Sequence, residues 1–193
     1  MRLDLVLKDN QIVGVRHNSG AMQPVTEVVV SDWSEPDHEP VYEGKHTLHL
    51  GCGATRLPDA VNVDYVKTDA SDVVFDLSLT PWPEWFAPSN YYDHVEAFDI
   101  IEHFVHVVPV INEIYRVLKP GGTVHIHTGR WNTPNSFTDP SHHHYFTTSS
   151  FDYWDSSTFF GSNYGWYRAN SGEMKVERAE EHGQELDFLL RKV

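Results

Sequence analysis

Thr47-Leu48-His49-Leu50-Gly51-Cys52-Gly53 is a short apolar run that ends in two glycines, and Val61-Asn62-Val63-Asp64 is a second run that ends in a carboxylate thirteen residues after Gly51. Glycines directly after a strand let the backbone turn tightly and approach a ligand closely. A carboxylate at the end of the next strand can accept both hydroxyls of a ribose. Each feature also has a plain reading, as a tight turn and as a solvated loop acid. Three more apolar runs and a helical pattern decide the fold. Val73-Val74-Phe75-Asp76, His94-Val95-Glu96-Ala97-Phe98 and Thr123-Val124-His125-Ile126-His127 read as further strands. Before the last of them, Val107, Ile111, Ile114 and Leu118 fall at i, i+4, i+7 and i+11, which predicts a helix with Pro109 in its first turn. Lys119-Pro120-Gly121-Gly122 stops it. Strands alternating with connectors imply a mostly parallel α/β sheet. Met174–Ala179 and Leu186–Leu190, around His182-Gly183, predict an antiparallel hairpin at the end.

Upstream, Leu3, Leu5 and Leu7, then Ile12 to Val15, then Val28 to Val30 predict two or three short strands separated by turns. Ser31 to Gly44 is acidic, holds Pro36 and Pro40, and reads as a linker. The organisation expected is a β-rich extension and linker over 1–44 and an α/β domain over 45–193. The chain has 193 residues, 40% of them hydrophobic, which suits one domain with a small appendage. Its formal charge is −14, with 13 histidines counted as neutral. No Lys/Arg run exists to replace counterions on phosphates, so no nucleic-acid partner is expected. The acidity disfavours an anionic membrane surface, and no apolar stretch approaches the 20 or so residues of a transmembrane helix. The N-terminus lacks an apolar signal-peptide region, and a single cysteine, Cys52, fits a reducing compartment, so a cytoplasmic location is expected.

With these pieces in place, the chain resembles class I S-adenosylmethionine-dependent methyltransferases. Leu48-His49-Leu50-Gly51-Cys52-Gly53 is similar to the family's first motif, Val61-Asn62-Val63-Asp64 to its acidic second strand, and Asp76-Leu77 to the pair beside the adenine. Glu113-Ile114-Tyr115-Arg116-Val117-Leu118-Lys119-Pro120-Gly121-Gly122 is the most specific match, and the resemblance spans roughly Thr47 to Thr128. It implies a Rossmann-like sheet of seven strands with the last antiparallel, S-adenosylmethionine as cofactor, and an enzyme. It also implies that Gly51, Cys52 and Gly53 lie against the methionine part, that Asp64 holds the ribose, and that Asp76 and Leu77 flank the adenine. Phe98 and Asp99 would face the sulfonium. One feature departs from the pattern: only ten residues, Pro58 among them, separate Gly53 from Asp64, leaving room for a turn or two of helix. The chain thus resembles a compact, type-11-like subgroup with a shortened first crossover.

Glu102 and His103 follow the fourth strand, which in the family fold is the methyl end of the cofactor. A hydroxyl acceptor benefits from a general base, and His103, with Glu102, is the candidate there; a helix-start acid and a packing histidine is the alternative. Asp139-Pro140-Ser141-His142-His143-His144-Tyr145-Phe146-Thr147 resembles a segment after the fifth strand in the same subgroup. His142 is a further catalytic candidate, and His144, Tyr145, Arg130 and Trp131 are substrate-binding candidates. Arg130 could equally pair with a local acid. The aromatics of this region fit either a lid over a planar or sugar-like acceptor or a satellite core beneath a long loop. Adjacent histidines diverge, so three in a row do not converge on one ion; His142 and His144 with His103 or His106 would be a metal alternative, and no metal site is assigned. The expected function is methyl transfer to a small-molecule or saccharide acceptor, at a hydroxyl. A binding or structural protein that kept the fold without turnover and a metal-dependent enzyme using the histidine loop are the rivals. No pattern sets an oligomeric state.

Overall fold

The computed structural model describes residues 3–8, 11–17, 22–24, 38–168 and 172–193, the first three segments as backbone alone. Contacts divide the chain into Met1–Asp37 and His38–Val193. In the first unit, β1 (Leu3–Lys8) pairs antiparallel with β2 (Gln11–His17), and β2 with β3 (Met22–Pro24). The expected strand at Val28–Val30 lies outside the described residues, as do residues 31–37 of the expected linker.

The second unit is built on one seven-stranded sheet. Its strands are β4 (Thr47–Leu50), β5 (Ala60–Asp64), β6 (Val73–Val74), β7 (Tyr92–Phe98), β8 (Leu118–Gly129), β9 (Met174–His182) and β10 (Glu185–Lys192). They lie in the order β6-β5-β4-β7-β8-β10-β9. β4 to β8 run parallel, and β10 is antiparallel to both its neighbours. This is the expected mostly parallel sheet with an antiparallel C-terminal hairpin. One helix of length, α1 (Val107–Val117), connects β7 to β8, with Pro109 in its first turn. Two five-residue helices follow, α2 (Pro134–Thr138) and α3 (Phe159–Asn163). Among the described residues, no helix is long and apolar enough to cross a membrane.

Strand alternation gives the sheet two unlike faces. Register aligns Val61, Leu48, Val95, Val124 and Leu190 in one row, and Val63, Leu50, Ala97, Ile126 and Phe188 in the next. All ten side chains are buried, and Val110, Ile111, Ile114 and Val117 of α1 belong to the same core. The opposite face carries Asn62, His49, Glu96 and His125 in register. Here His94 hydrogen-bonds Glu96 at 2.9 Å and His125 bonds Asp187, which also takes Arg178, while His125 Nδ1 lies 3.1 Å from the other Glu96 oxygen without a hydrogen bond.

No helix forms between β4 and β5, where a turn or two had room, nor between β5 and β6. Polar side chains close these short crossovers instead. The fully buried Asn62 accepts at Oδ1 from Leu57 N, and the His49 ring bonds the same oxygen; its Nδ2 donates to Leu57 O, Ala60 O and Asp72 Oδ2. Asp72 also accepts from Asn62 N, Arg56 and Lys45. Burial alone would raise the Asp72 pKa, but the hydrogen bonds from Asn62, Arg56 and Lys45 outweigh it and hold the carboxyl well below the usual range.

A carboxyl depressed on folding contributes stability above its unfolded pKa of about 4, and that contribution is lost as pH falls through the folded value. Asp72→Asn should therefore lower the unfolding free energy by about 1–3 kcal/mol at pH 7. Between pH 5 and pH 3 the gap to wild type should shrink. Urea midpoints at the two pH values check this; an equal gap at both would remove the ionised carboxylate from the role.

Candidate active site

The C-terminal ends of the parallel strands open into a cavity of about 690 Å³, a size suited to a nucleoside-bearing ligand. Gly51, Asp64, Asp76, Leu77, Asp99 and His103 line it, together with Tyr65, Phe75, Ser78, Ile100, Phe104, Val105, His106, Asp139 and Ser141.

Its inner wall is set by the glycine turn. Gly51 and Gly53 have φ of 63° and 53°, the left-handed region. A Cβ on Gly51 would stand 2.7–2.9 Å from Ile100, so only glycine lets the loop pass there. Asp64 is buried, and each carboxylate oxygen takes one backbone donor: Oδ2 from Gly53 N at 2.8 Å and Oδ1 from Val66 N at 2.9 Å. Each oxygen keeps a lone pair, the arrangement that receives a vicinal diol. The Asp76 carboxylate accepts from Ser78 N and Oγ through Oδ1. Leu77 is held from behind: its carbonyl accepts the indole N–H of the buried Trp82 at 3.0 Å. Trp82 N donates to Glu113 of α1, and Glu113 is clamped by Arg116, whose guanidinium also reaches Trp82 O and Glu84. The polar residues of the Glu113–Arg116 run thus fasten the loop that carries Leu77 and Trp82 to the helix.

Cys52 enters through its backbone. Its amide donates to Val63 O, while the thiol is buried outside the cavity lining, with burial first and Asp64 second pushing its pKa up. Phe98 is set apart from the cavity, because alternation along β7 turns it to the face opposite Ala97. Its ring meets His49, His125 and His127 edge-on. Asp99, next in sequence, lines the cavity with φ 49° and bonds His127 at 3.1 Å.

The other end of the cavity is built by two segments well apart in the sequence. The Glu102 carbonyl accepts from both His143 N and His144 N, which ties the 3₁₀ turn Ile101–His103 to the histidine loop. Asp139 Oδ1 accepts from Ser141 N and, at 2.5 Å, from Ser141 Oγ. Those hydrogen bonds hold the Asp139 carboxyl below its usual range. The Ser141 hydroxyl, with its hydrogen committed, accepts from Nδ1 of His103 at 2.9 Å. His103 is therefore fixed as the Nδ1–H tautomer, and Nε2 keeps its lone pair. Glu102 is 3% exposed, and its Oε2 has no hydrogen-bond partner. Burial pushes its pKa up, against smaller downward pulls from its own backbone and from the neighbouring Thr128 hydroxyl. His142 gives Nδ1 to Ser136 O, and His144 bonds Val105 O through Nε2.

Arg130 pairs with Glu181, the local-acid alternative. Trp131 and Tyr145 are exposed, and Tyr145 stacks on Phe137 with centroids 4.5 Å apart. Phe146, Phe151 and Trp154 are buried, with Phe151 against Phe188, so the loop's aromatics divide between the main core, rather than a satellite core, and an outer pair. The cavity's Asp139 and Ser141 were legible only as part of an unusual segment. Tyr65, 74% exposed at the rim, had no sequence signal beyond following Asp64.

Comparison with known proteins agrees with this geometry. Residues 48–126 match the family model of a methyltransferase domain. A protein from Bacillus halodurans, provisionally named a methyltransferase, is similar over 79% of this chain and 95% of its own, at 13% identity and a TM-score of 0.51. The provisionally named methyltransferase in complex with the Trm112 methyltransferase activator of Haloferax volcanii is similar over 79% and 84%, also at 13% and 0.51. An S-adenosylmethionine-dependent methyltransferase from Mesorhizobium loti gives 12% identity over 82% and 94%, with a TM-score of 0.49. No curated protein matches by sequence. Residues 48–126 carry a methyltransferase domain, an S-adenosylmethionine-dependent enzyme domain with S-adenosylmethionine as its cofactor.

The residues present fit that cofactor. The cavity joins a carboxylate with free lone pairs for a diol, a buried leucine face, and a glycine turn with no room for a side chain. Asp64→Ala should weaken S-adenosylhomocysteine binding at least tenfold, the loss of about 1.5–3 kcal/mol of charge-assisted hydrogen bonding. Calorimetry measures it, and unchanged affinity would take Asp64 out of the ribose role.

Proposed function

We propose that this enzyme transfers the methyl group of S-adenosylmethionine to a hydroxyl of a small-molecule or saccharide acceptor. The observation that carries the reading is the Asp139–Ser141–His103 chain, which leaves one lone pair of His103 free in the same cavity as Gly51, Asp64 and Asp76. Bound there, the cofactor supplies a methyl carbon already activated by its sulfonium. The protein's part is alignment, exclusion of water and handling of one proton. The acceptor hydroxyl donates to Nε2 of His103, which orients its oxygen toward the methyl and takes the proton as the new C–O bond forms.

The saccharide form of the acceptor rests on the outer aromatics. Tyr145 follows His144 directly and stacks on Phe137 of α2, and both rings are exposed beside the loop that carries His142. The C–H face of a sugar ring packs against such rings while its hydroxyls stay free for polar partners. Arg130, engaged by Glu181, is assigned no acceptor contact. Residues 1–44 are proposed as an appendage that is not needed for cofactor binding.

His103→Ala should lower the rate of labelled methyl transfer to hydroxylated acceptors by about 10²–10⁴-fold. S-adenosylhomocysteine affinity should stay within about twofold of wild type, since no cofactor-holding role is given to this ring. A full rate in His103→Ala would assign the residue to packing.

A further inference from the structure

Three side chains beside the cavity each bring one potential ligand atom close to the other two. One nitrogen of His103, one of His142 and one carboxylate oxygen of Glu102 all lie within 4.8 Å of one another. The two rings cross edge to face with centroids 4.7 Å apart. Their Nδ1 atoms are engaged, His103 with Ser141 Oγ and His142 with Ser136 O, which leaves both Nε2 lone pairs available. Donation of the second ring nitrogen to an oxygen is the pattern that fixes metal-ligating imidazoles. Glu102 supplies the independent sign. Its carboxylate is almost fully buried, yet Oε2 has no hydrogen-bond partner. A buried, unpaired carboxylate oxygen is costly, and a cation is one of the few things that satisfies it.

We propose that Glu102, His103 and His142 form a binding site for one divalent first-row transition cation beside the cavity, whose wall includes His103 but not Glu102 or His142. Two imidazoles and one carboxylate suit zinc, iron, cobalt or manganese better than magnesium or calcium. Three protein ligands leave an open position, as in catalytic rather than structural sites. Tetrahedral coordination at about 2.0–2.1 Å brings donors to about 3.4 Å from one another, within reach of a side-chain adjustment. The backbone needed for the site is in place, since the Glu102 carbonyl holds His143 N and His144 N and so brings His142 beside Glu102. The acidic Asp139 adds a favourable field next to both rings.

The inference rests on the methyl-transfer reading for its purpose. In the ion-free form His103 acts on the hydroxyl directly; with the ion on Nε2, the open position would hold the acceptor oxygen beside the methyl group and its proton would pass to solvent.

The test is a cobalt(II) titration of the full chain after removal of bound metal, monitored by visible absorption and equilibrium dialysis, with S-adenosylhomocysteine calorimetry on every variant. One cobalt per chain is expected. Glu102→Gln and His142→Ala should each weaken it at least tenfold, while His143→Ala, at an exposed neighbour, should leave it unchanged. No cobalt bound at about millimolar concentration, or a loss in His143→Ala with retention in Glu102→Gln, overturns the site. If Glu102→Gln fails to fold, His142→Ala alone decides. Retained cofactor binding without cobalt defeats only the cation site; cobalt bound without any methyl transfer to hydroxylated acceptors defeats the transfer reading.

Discussion

The amide of Asn62 is the interaction on which the cofactor side of this molecule depends. Parallel strands are ordinarily joined by a helix that covers one sheet face. Here β4 and β5 are joined without one, so the backbone of the loop and the face beneath it need other partners. Asn62 provides them from within β5, closing the loop through Leu57 and Ala60, anchoring to His49 of β4, and meeting Asp72 of the next crossover. Asp72 carries the closure on to Arg56 and Lys45. A buried polar network is stable only when its members are satisfied, and Asn62 meets that condition at both ends of its amide. Gly53 and Asp64 lie on either side of this network, so their mutual hydrogen bond is placed by it.

The same economy explains the sheet's two faces. The face under α1 is apolar and buries ten strand side chains in two rows. Its opposite bears an imidazole–carboxylate–guanidinium row through His94, Glu96, His125, Asp187 and Arg178. An apolar surface without crossover helices would be exposed to water, whereas a half-buried row of polar side chains tolerates it. The single long helix then carries two duties. Its apolar stripe fills the core, and Glu113 with Arg116 reaches across to Trp82, which in turn holds the carbonyl of Leu77 at the cavity wall. The Leu77 wall of the cavity is thereby fixed from the helix, and the Asp64 wall from the Asn62 network.

The strand order and the cofactor end were legible because they are written locally. A run of apolar residues ending at Gly51, a carboxylate ending the next run at Asp64, and the Asp76-Leu77 pair each place a group at a strand's C-terminal end, and the parallel sheet brings those ends together. Phe98 shows where that reasoning stops. A strand's last residue belongs to one face or the other, and the register puts Phe98 among the histidines while Asp99, past the end and in a left-handed conformation, turns toward the cavity. The continuous β8 from Leu118 likewise absorbs the Lys119–Gly122 stop as an irregularity in its pairing with β7.

The His103 end of the cavity was less legible because its order comes from contacts across the chain rather than from spacing. Asp139 and Ser141 look like an ordinary turn, Asp-Pro-Ser, and only the approach of His103 from 38 residues upstream sets an imidazole against the serine hydroxyl. Three consecutive histidines suggest one shared role, yet each does something different: His142 turns back to Ser136, His143 is exposed, and His144 reaches Val105. What sorts them is one carbonyl, that of Glu102, which takes the amides of both His143 and His144. Fixing two successive amides on one oxygen sets the loop's path, and the loop's path decides which ring stands beside His103. The histidine loop is therefore placed by a backbone acceptor, the Glu102 carbonyl, on the same residue whose buried Oε2 has no hydrogen-bond partner.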